Sequence, residues 1–186
     1  MRITKGPKSN DDREFDENAL MRGVSFVESR DGKYMINPTS SATGSYGQLY
    51  KQVEDYLRDI YDINTREDFA EAYGVQDQIF ADRMYGRLPG MGSGLIDSAF
   101  DLTDEYSPQL ENFNYTPDEV AALVNFMGRQ GTRKYFASLR DGTEYAVPGV
   151  NKTPEAYLDL YREAVQRYRD SESKRYGGRM RVKKAY

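Results

Sequence analysis

The chain has 186 residues with a net charge of −4 and neither Cys nor His, a length that holds one domain with a sizeable core, with or without extended ends. The acidic balance argues against a protein that coats nucleic acid. The missing residue types exclude disulfides, thiolate or imidazole metal sites, cysteine nucleophiles and triads with a histidine base, so acid–base work falls to Asp, Glu, Lys or Tyr. Trp is also absent while Tyr occurs 16 times, so most aromatic contact surface carries a hydroxyl.

Residues 1–16 are charged and turn-rich, without a helical or alternating apolar pattern, and read as a flexible N-terminal arm. No apolar run follows the basic start, and nowhere do about 18 apolar residues stand together, so neither a signal peptide nor a transmembrane segment is expected. From Asn18 the apolar positions Leu20, Val24 and Val27, with Phe26 beside them, predict a helix that Gly32 stops. Glu28 falls in its last turn. The following stretch YMINPTSSATGSYG is rich in Pro, Ser, Thr and Gly and leaves room only for short β pieces.

Tyr50, Val53, Leu57 and Ile60 mark an amphipathic helix, and Thr65 with Asp68 caps a further helical stretch to about Tyr85, with a break expected at Gly74. GRLPGMGSG, residues 86–94, lacks the strand, Lys and Ser/Thr arrangement of a phosphate-binding loop and reads as a mobile loop. Leu95–Leu102 reads as a short helix. Thr116-Pro117-Asp118-Glu119 is a capping box with Pro at the first helical position. The helix it opens, PDEVAALVNFMG, is apolar nearly all round, which predicts a buried, central place. Asn125 inside that run must find hydrogen-bond partners, so it either ties a neighbouring loop or faces a polar cleft.

Residues 131–140 continue as another helix, and TEYAVPGVN is a loop with room for one short strand. Thr153-Pro154-Glu155 opens a last helix with Leu158, Tyr161, Val165 and Tyr168 on one face. Beyond it KRYGGRMRVKKAY carries six basic residues and no acidic one. This tail suits a solvated end, an arm gripping a protein partner, or a contact to nucleic acid or a membrane surface. The expected organisation is an arm over 1–16, a mainly α domain over 17–170 with little β structure, and a basic tail over 171–186.

Glu28 has two readings. A glutamate near a helix end is ordinarily a solvated charge. Here, however, the charge opposes the helix dipole and follows Val24, Phe26 and Val27, and both dipole and desolvation raise a carboxyl pKa toward the range a general acid needs. The surrounding segment, VESRDGKYMINPTSSATGSYGQLY, resembles the signature of the lysozyme-like lytic transglycosylase superfamily, most closely its phage-encoded members. Glu28-Ser29 fits the catalytic pair, Ser41-Ala42-Thr43-Gly44 the following turn, and Tyr46 with Gln48 the aromatic and amide that line the saccharide groove. AALVNFMGRQGTRKYF is similar to the family's later helix, with Asn125 and Gly128 at its Asn and Gly.

Two departures stand out. Ser45-Tyr46-Gly47 is one residue longer than the commonest spacing before the Gln, and Val124 replaces a frequent Tyr, whose hydroxyl Tyr34, Tyr46 or Tyr135 would have to supply. The resemblance implies a lysozyme-like fold, no cofactor and no metal. It implies that Glu28 acts as general acid and base on the MurNAc–GlcNAc bond of peptidoglycan, with Ser29, Gly44, Tyr46, Gln48 and Asn125 in the substrate site. One carboxylate suffices for the lyase-type reaction that closes a 1,6-anhydro ring, whereas a muramidase of the ordinary kind needs two. Asp31, the other acid of the segment, reads as a surface charge.

Without an export signal the enzyme is expected to reach the cell wall or periplasm from a phage virion, with the arm and the tail docking on tail or portal proteins. The alternative is a catalytically weak or inactive lysozyme-like component of such an assembly, and a nucleic-acid role for the tail is a lesser possibility.

Overall fold

Helix α1 (Glu17–Ser29) begins where the Asp16 side chain accepts a hydrogen bond from the Ala19 backbone N–H at 2.9 Å, and it ends at Arg30, which turns left-handed with φ 54° and donates its N–H to the Phe26 carbonyl. The computed structural model describes residues 15–180 apart from 31, 34, 39, 150 and 151, with side chains through Ser173. The expected arm therefore lies outside the described residues except for its last two. Those two belong to the fold: Phe15 meets Phe100 edge-on at 6.1 Å, and Asp16 caps α1 and pairs with Arg169.

Two residues of strand on each side, β1 (Ala42–Thr43) and β2 (Gln48–Leu49), pair antiparallel across a tight turn with Thr43 opposite Gln48. Helices α2 (Tyr50–Tyr61), α3 (Arg66–Glu71), α4 (Tyr73–Met84), α5 (Leu95–Tyr106), α6 (Pro117–Asp141) and α7 (Pro154–Met180) follow. The described chain is mainly helical, as expected, and no described helix is long and apolar enough to cross a membrane.

The boundaries differ from expectation in four places, each for a local reason. The break after α3 falls at Ala72, and Gly74 sits inside the first turn of α4, where it meets no steric demand. Helix α5 runs on to Tyr106 because Leu102 and Tyr106 both bury into the core. Residues 131–140 are the continuation of α6 through a kink at Gly128 (φ 74°, ψ 163°), not a separate helix after a loop. Helix α7 extends to Met180, so the first ten residues of the expected tail are helical, and residues 143–149 contain no strand.

The apolar residues gather in two clusters. The larger joins α1, α5, α6 and α7 around Val120–Val124 of α6, the central buried helix the sequence predicts. The smaller joins α2 and α3 through Val53, Leu57, Phe69 and Ile79. Helix α4 is the wall they share, since Phe80 and Met84 face the larger cluster while Ile79 faces the smaller. Burying these side chains supplies the main favourable term, on the order of 2 kcal/mol for each fully buried aliphatic or aromatic group. Glu28 stands at the end of α1, beside the hairpin turn that connects the two parts.

Candidate active site

The hairpin turn is fixed from α3 and α4. Arg66 donates from Nε to the Thr43 hydroxyl at 2.6 Å and from Nη2 to the carbonyls of Asn37 and Ala42 at 2.8 and 2.6 Å. The fully buried Gln76 accepts from the Ser45 N–H at 2.7 Å and donates to the Phe69 and Ala70 carbonyls. Held this way, the turn lays Gly47 directly over Glu28. A Cβ at Gly47 would stand 2.7 Å from Glu28 Oε2, and its φ of +59° also favours glycine, so backbone covers the carboxylate as no side-chain-bearing residue would allow.

From the other side α7 brings Tyr157, whose hydroxyl donates to Glu28 Oε1 at 3.1 Å. The Tyr157 ring is buried and stacks on Phe126 with centroids 4.2 Å apart. The Asn125 amide hydrogen-bonds the same hydroxyl, pulling its pKa down against burial, as an N–H donor to the oxygen does. Asn125 Oδ1 then remains buried without a partner among the described residues. An Asn125–Tyr157–Glu28 relay results, drawn from α6, α7 and α1.

Glu28 is half-buried, and burial raises its pKa above the ordinary value; the Tyr157 hydrogen bond and the charges of Lys152 and Arg83 oppose that rise. Burial in turn lowers the pKa of both Arg83 and Lys152, against the pull of Glu28. The charges that bear on Glu28 among the described residues are thus cations, and Asp31 lies outside them. Such a site offers one protonatable carboxyl, poised by desolvation, and cationic surroundings that favour its ionised form once the proton has left. No described group of three or more acids stands where it could hold a metal ion.

The expected site residues divide. Glu28 and Asn125 are brought together through Tyr157. Ser29 has no exposed surface, and its hydroxyl is occupied by the Ser25 carbonyl and the Gly32 N–H, both at 2.9 Å, so it shapes the helix end. Gly44 is likewise a turn residue, donating its N–H to the Met35 carbonyl at 2.7 Å. Tyr46 stacks flat on Phe80 at 4.2 Å and donates its hydroxyl to Asp77 at 2.7 Å. Gln48 is 2% exposed, and neither of its amide atoms finds a partner among the described residues.

Among the described residues the hydroxyl that reaches Glu28 is that of Tyr157. Tyr46 serves Asp77, Tyr135 shares its hydroxyl with Tyr115 at 3.0 Å, and Tyr34 lies outside the described residues. The Tyr157 ring packs in the core, and no local signal in the sequence marks the direction of its hydroxyl. Gln76 and Arg66 escaped notice for the same reason.

Two cavities flank this centre. One of about 270 Å³ lies among Arg83, the glycine loop at Gly86 and Gly92, and Val124 and Gly128 of α6. The other, about 860 Å³, is larger and runs along α1 from Phe26 back to Asn18 between Tyr46 and Tyr168. Neither cavity is lined by Glu28; the smaller shares with it only Arg83, whose charge acts on the carboxyl. Compared with known proteins, the chain matches no family model, no curated protein and no solved structure.

Proposed function

We propose that the chain is a lytic transglycosylase of lysozyme-like type that cleaves the MurNAc–GlcNAc bond of peptidoglycan, with Glu28 as acid and then base. The observation that carries this reading is the Glu28 carboxyl itself, desolvated beneath Gly47 and held by the Tyr157 hydroxyl at the end of the amphipathic helix α1. The resemblance of residues 24–50 and 121–136 to that superfamily supplies the substrate.

Protonated Glu28 donates to the glycosidic oxygen as the C1–O bond breaks and oxocarbenium character develops at the sugar. The carboxylate left behind, favoured by Tyr157, Arg83 and Lys152, takes the proton of the C6 hydroxyl, and O6 closes on C1. No water is consumed and Glu28 ends protonated, ready for another cycle. A single carboxyl completes both proton transfers, which is why the reading favours the lyase over a two-carboxylate muramidase. Delivery from a phage particle to the cell wall, with docking through the chain ends, belongs to the same proposal.

Digestion of purified peptidoglycan followed by mass analysis tests it. Wild type should release fragments one water lighter than hydrolysis products, and Glu28→Gln should release none while melting as a folded protein. Hydrated reducing-end products would establish a muramidase instead. A second reading, a structural virion component without turnover, draws on the closure of Gly47 over Glu28 and the withdrawal of Gln48 into the interior. Absence of any product from wild type, with the chain still incorporated into particles, would favour it.

A further inference from the structure

We propose that the turn over Glu28, residues 44–48, is a latched lid, and that substrate reaches the carboxyl only in a minor open form in which Gly47 lifts away and Gln48 leaves the interior. The inference rests on the catalytic reading of Glu28 and adds how that site is gated. Glu28 keeps some exposed surface, yet it lines neither cavity, and the Gly47 backbone lies against one side of its carboxyl with the Tyr157 hydroxyl on the other. A glycosidic oxygen has to come within about 3 Å of the acid to take its proton. In the closed form Gly47 and Tyr157 already occupy that range.

The bonds of the turn allow it to move as a unit. Gly47 gives its N–H to the Gly44 carbonyl at 3.2 Å, and no described hydrogen bond joins the turn to α1. Its tip is tied to α4 instead, the Ser45 N–H to Gln76 and the Tyr46 hydroxyl to Asp77, both at 2.7 Å, with the Tyr46 ring flat on Phe80. At the base Arg66 grips Thr43 and Ala42, so the strands stay paired while the tip moves. Gly44 (φ +80°) and Gly47 (φ +59°) give the backbone freedom at both ends of the tip. Ser45 and Tyr46 line the 860 Å³ cavity, which leaves open space beside the turn.

The closed form is also imperfectly satisfied. Both ends of the Gln48 amide are buried without a partner among the described residues, a desolvation cost that the open form relieves. Asp77 is exposed, so on opening its carboxylate and the Tyr46 hydroxyl exchange their bond for water at a small net loss. Opening also gives up the Tyr46–Phe80 stack, and this keeps the closed form dominant. Tyr46 is therefore the latch, and Gln48 works against it.

Carbodiimide labelling of the folded, full-length protein reads the opening without any turnover, because the tryptic peptide GVSFVESR, residues 23–30, carries Glu28 as its only side-chain carboxyl. Tyr46→Phe should speed labelling about tenfold, the scale of a hydrogen bond to a charged group, and Asp77→Ala should do the same. Gln48→Leu, which fills similar space with no amide to satisfy, should slow it about tenfold. Peptidoglycan cleavage should follow the same order. Wild-type labelling should be insensitive to about 1 M urea, because a local opening exposes little surface, whereas amide exchange at Val120–Val124 accelerates. Equal labelling in all four proteins overturns the lid, and if wild type still cleaves, the catalytic reading survives it. Labelling that rises with urea in step with those amides also overturns it, since Glu28 is then reached only by unfolding. Faster labelling of Gln48→Leu would show that the amide holds the turn shut, against the proposal. Should a variant at a buried position not fold, Asp77→Ala decides alone. Labelling in the expected order with no cleavage by any of the proteins leaves the lid standing and sinks the catalytic reading.

Discussion

The hydroxyl of Tyr157 works against the burial of Glu28. Desolvation penalises the carboxylate and raises its pKa, whereas a donor at 3.1 Å from Oε1 favours the ionised form and holds the pKa down. Removing the donor therefore lets the pKa climb further. For Tyr157→Phe, which keeps the ring on Phe126, the basic limb of the peptidoglycan-cleavage profile should move up by about one pH unit, the equivalent of a hydrogen bond to a charged group. The rate at the optimum should fall as well, because the carboxylate that must receive the C6 proton has lost a stabilising donor. A profile that stays in place, or moves to lower pH, would show that this hydroxyl does not donate to the reacting carboxyl. Val124 gave the sequence its one hint that a hydroxyl had to come from elsewhere. The identity of the donor depends on how α7 folds back along α1, with Tyr161 pressed against Gly23, and no local pattern encodes that register.

Helix α6 was the most legible element, and its start shows where legibility ends. Thr116 and Glu119 exchange the two bonds of a capping box, Thr116 N–H to Glu119 Oε2 at 3.0 Å and Glu119 N–H to Thr116 Oγ1 at 3.4 Å. Spacing alone predicted this, because a cap is a contract between residues three apart. Glu119 Oε1 also accepts from Arg162 Nε at 2.6 Å, tying the start of α6 to α7 across 43 positions of sequence, and nothing local announces it. Thr116→Ala removes one side of the box, leaves the Arg162 bond intact, and should cost about 1 kcal/mol in urea unfolding with the slope unchanged. A loss near zero would mean that Arg162 and burial hold the helix start without the cap. The kink at Gly128 follows the same division. A glycine after an apolar run suggested an end, but tertiary packing of Thr132, Tyr135 and Phe136 carries the helix on to Asp141.

At the scale of the whole molecule, α1 ends in a charge that the fold would rather not bury. The apolar periodicities made the two clusters and the central helix readable, but the sharing of α4 between the clusters, which brings Arg83 and Gln76 to the same side as Glu28, depends on the assembled fold. The consequence is a measurable tension between site and stability. Unfolded, Glu28 titrates near the ordinary value of 4.5; folded, it titrates higher, with burial as the first cause. Between those two values the native state binds more protons than the unfolded state, so stability falls as pH rises through that window, and above the folded value the loss is complete. Glutamine at this position has nothing to titrate and still accepts from Tyr157. The stability of Glu28→Gln relative to wild type should therefore be lowest below about pH 4.5, where both side chains are neutral in both states, and should grow to a plateau above the folded pKa. Urea unfolding of the two proteins from pH 4 to 8 reads this directly. A difference that is flat with pH would mean that Glu28 is not desolvated. One that shrinks as pH rises would mean that Arg83, Lys152 and Tyr157 outweigh burial, leaving an ionised, structural carboxylate where the proposed mechanism needs an acid.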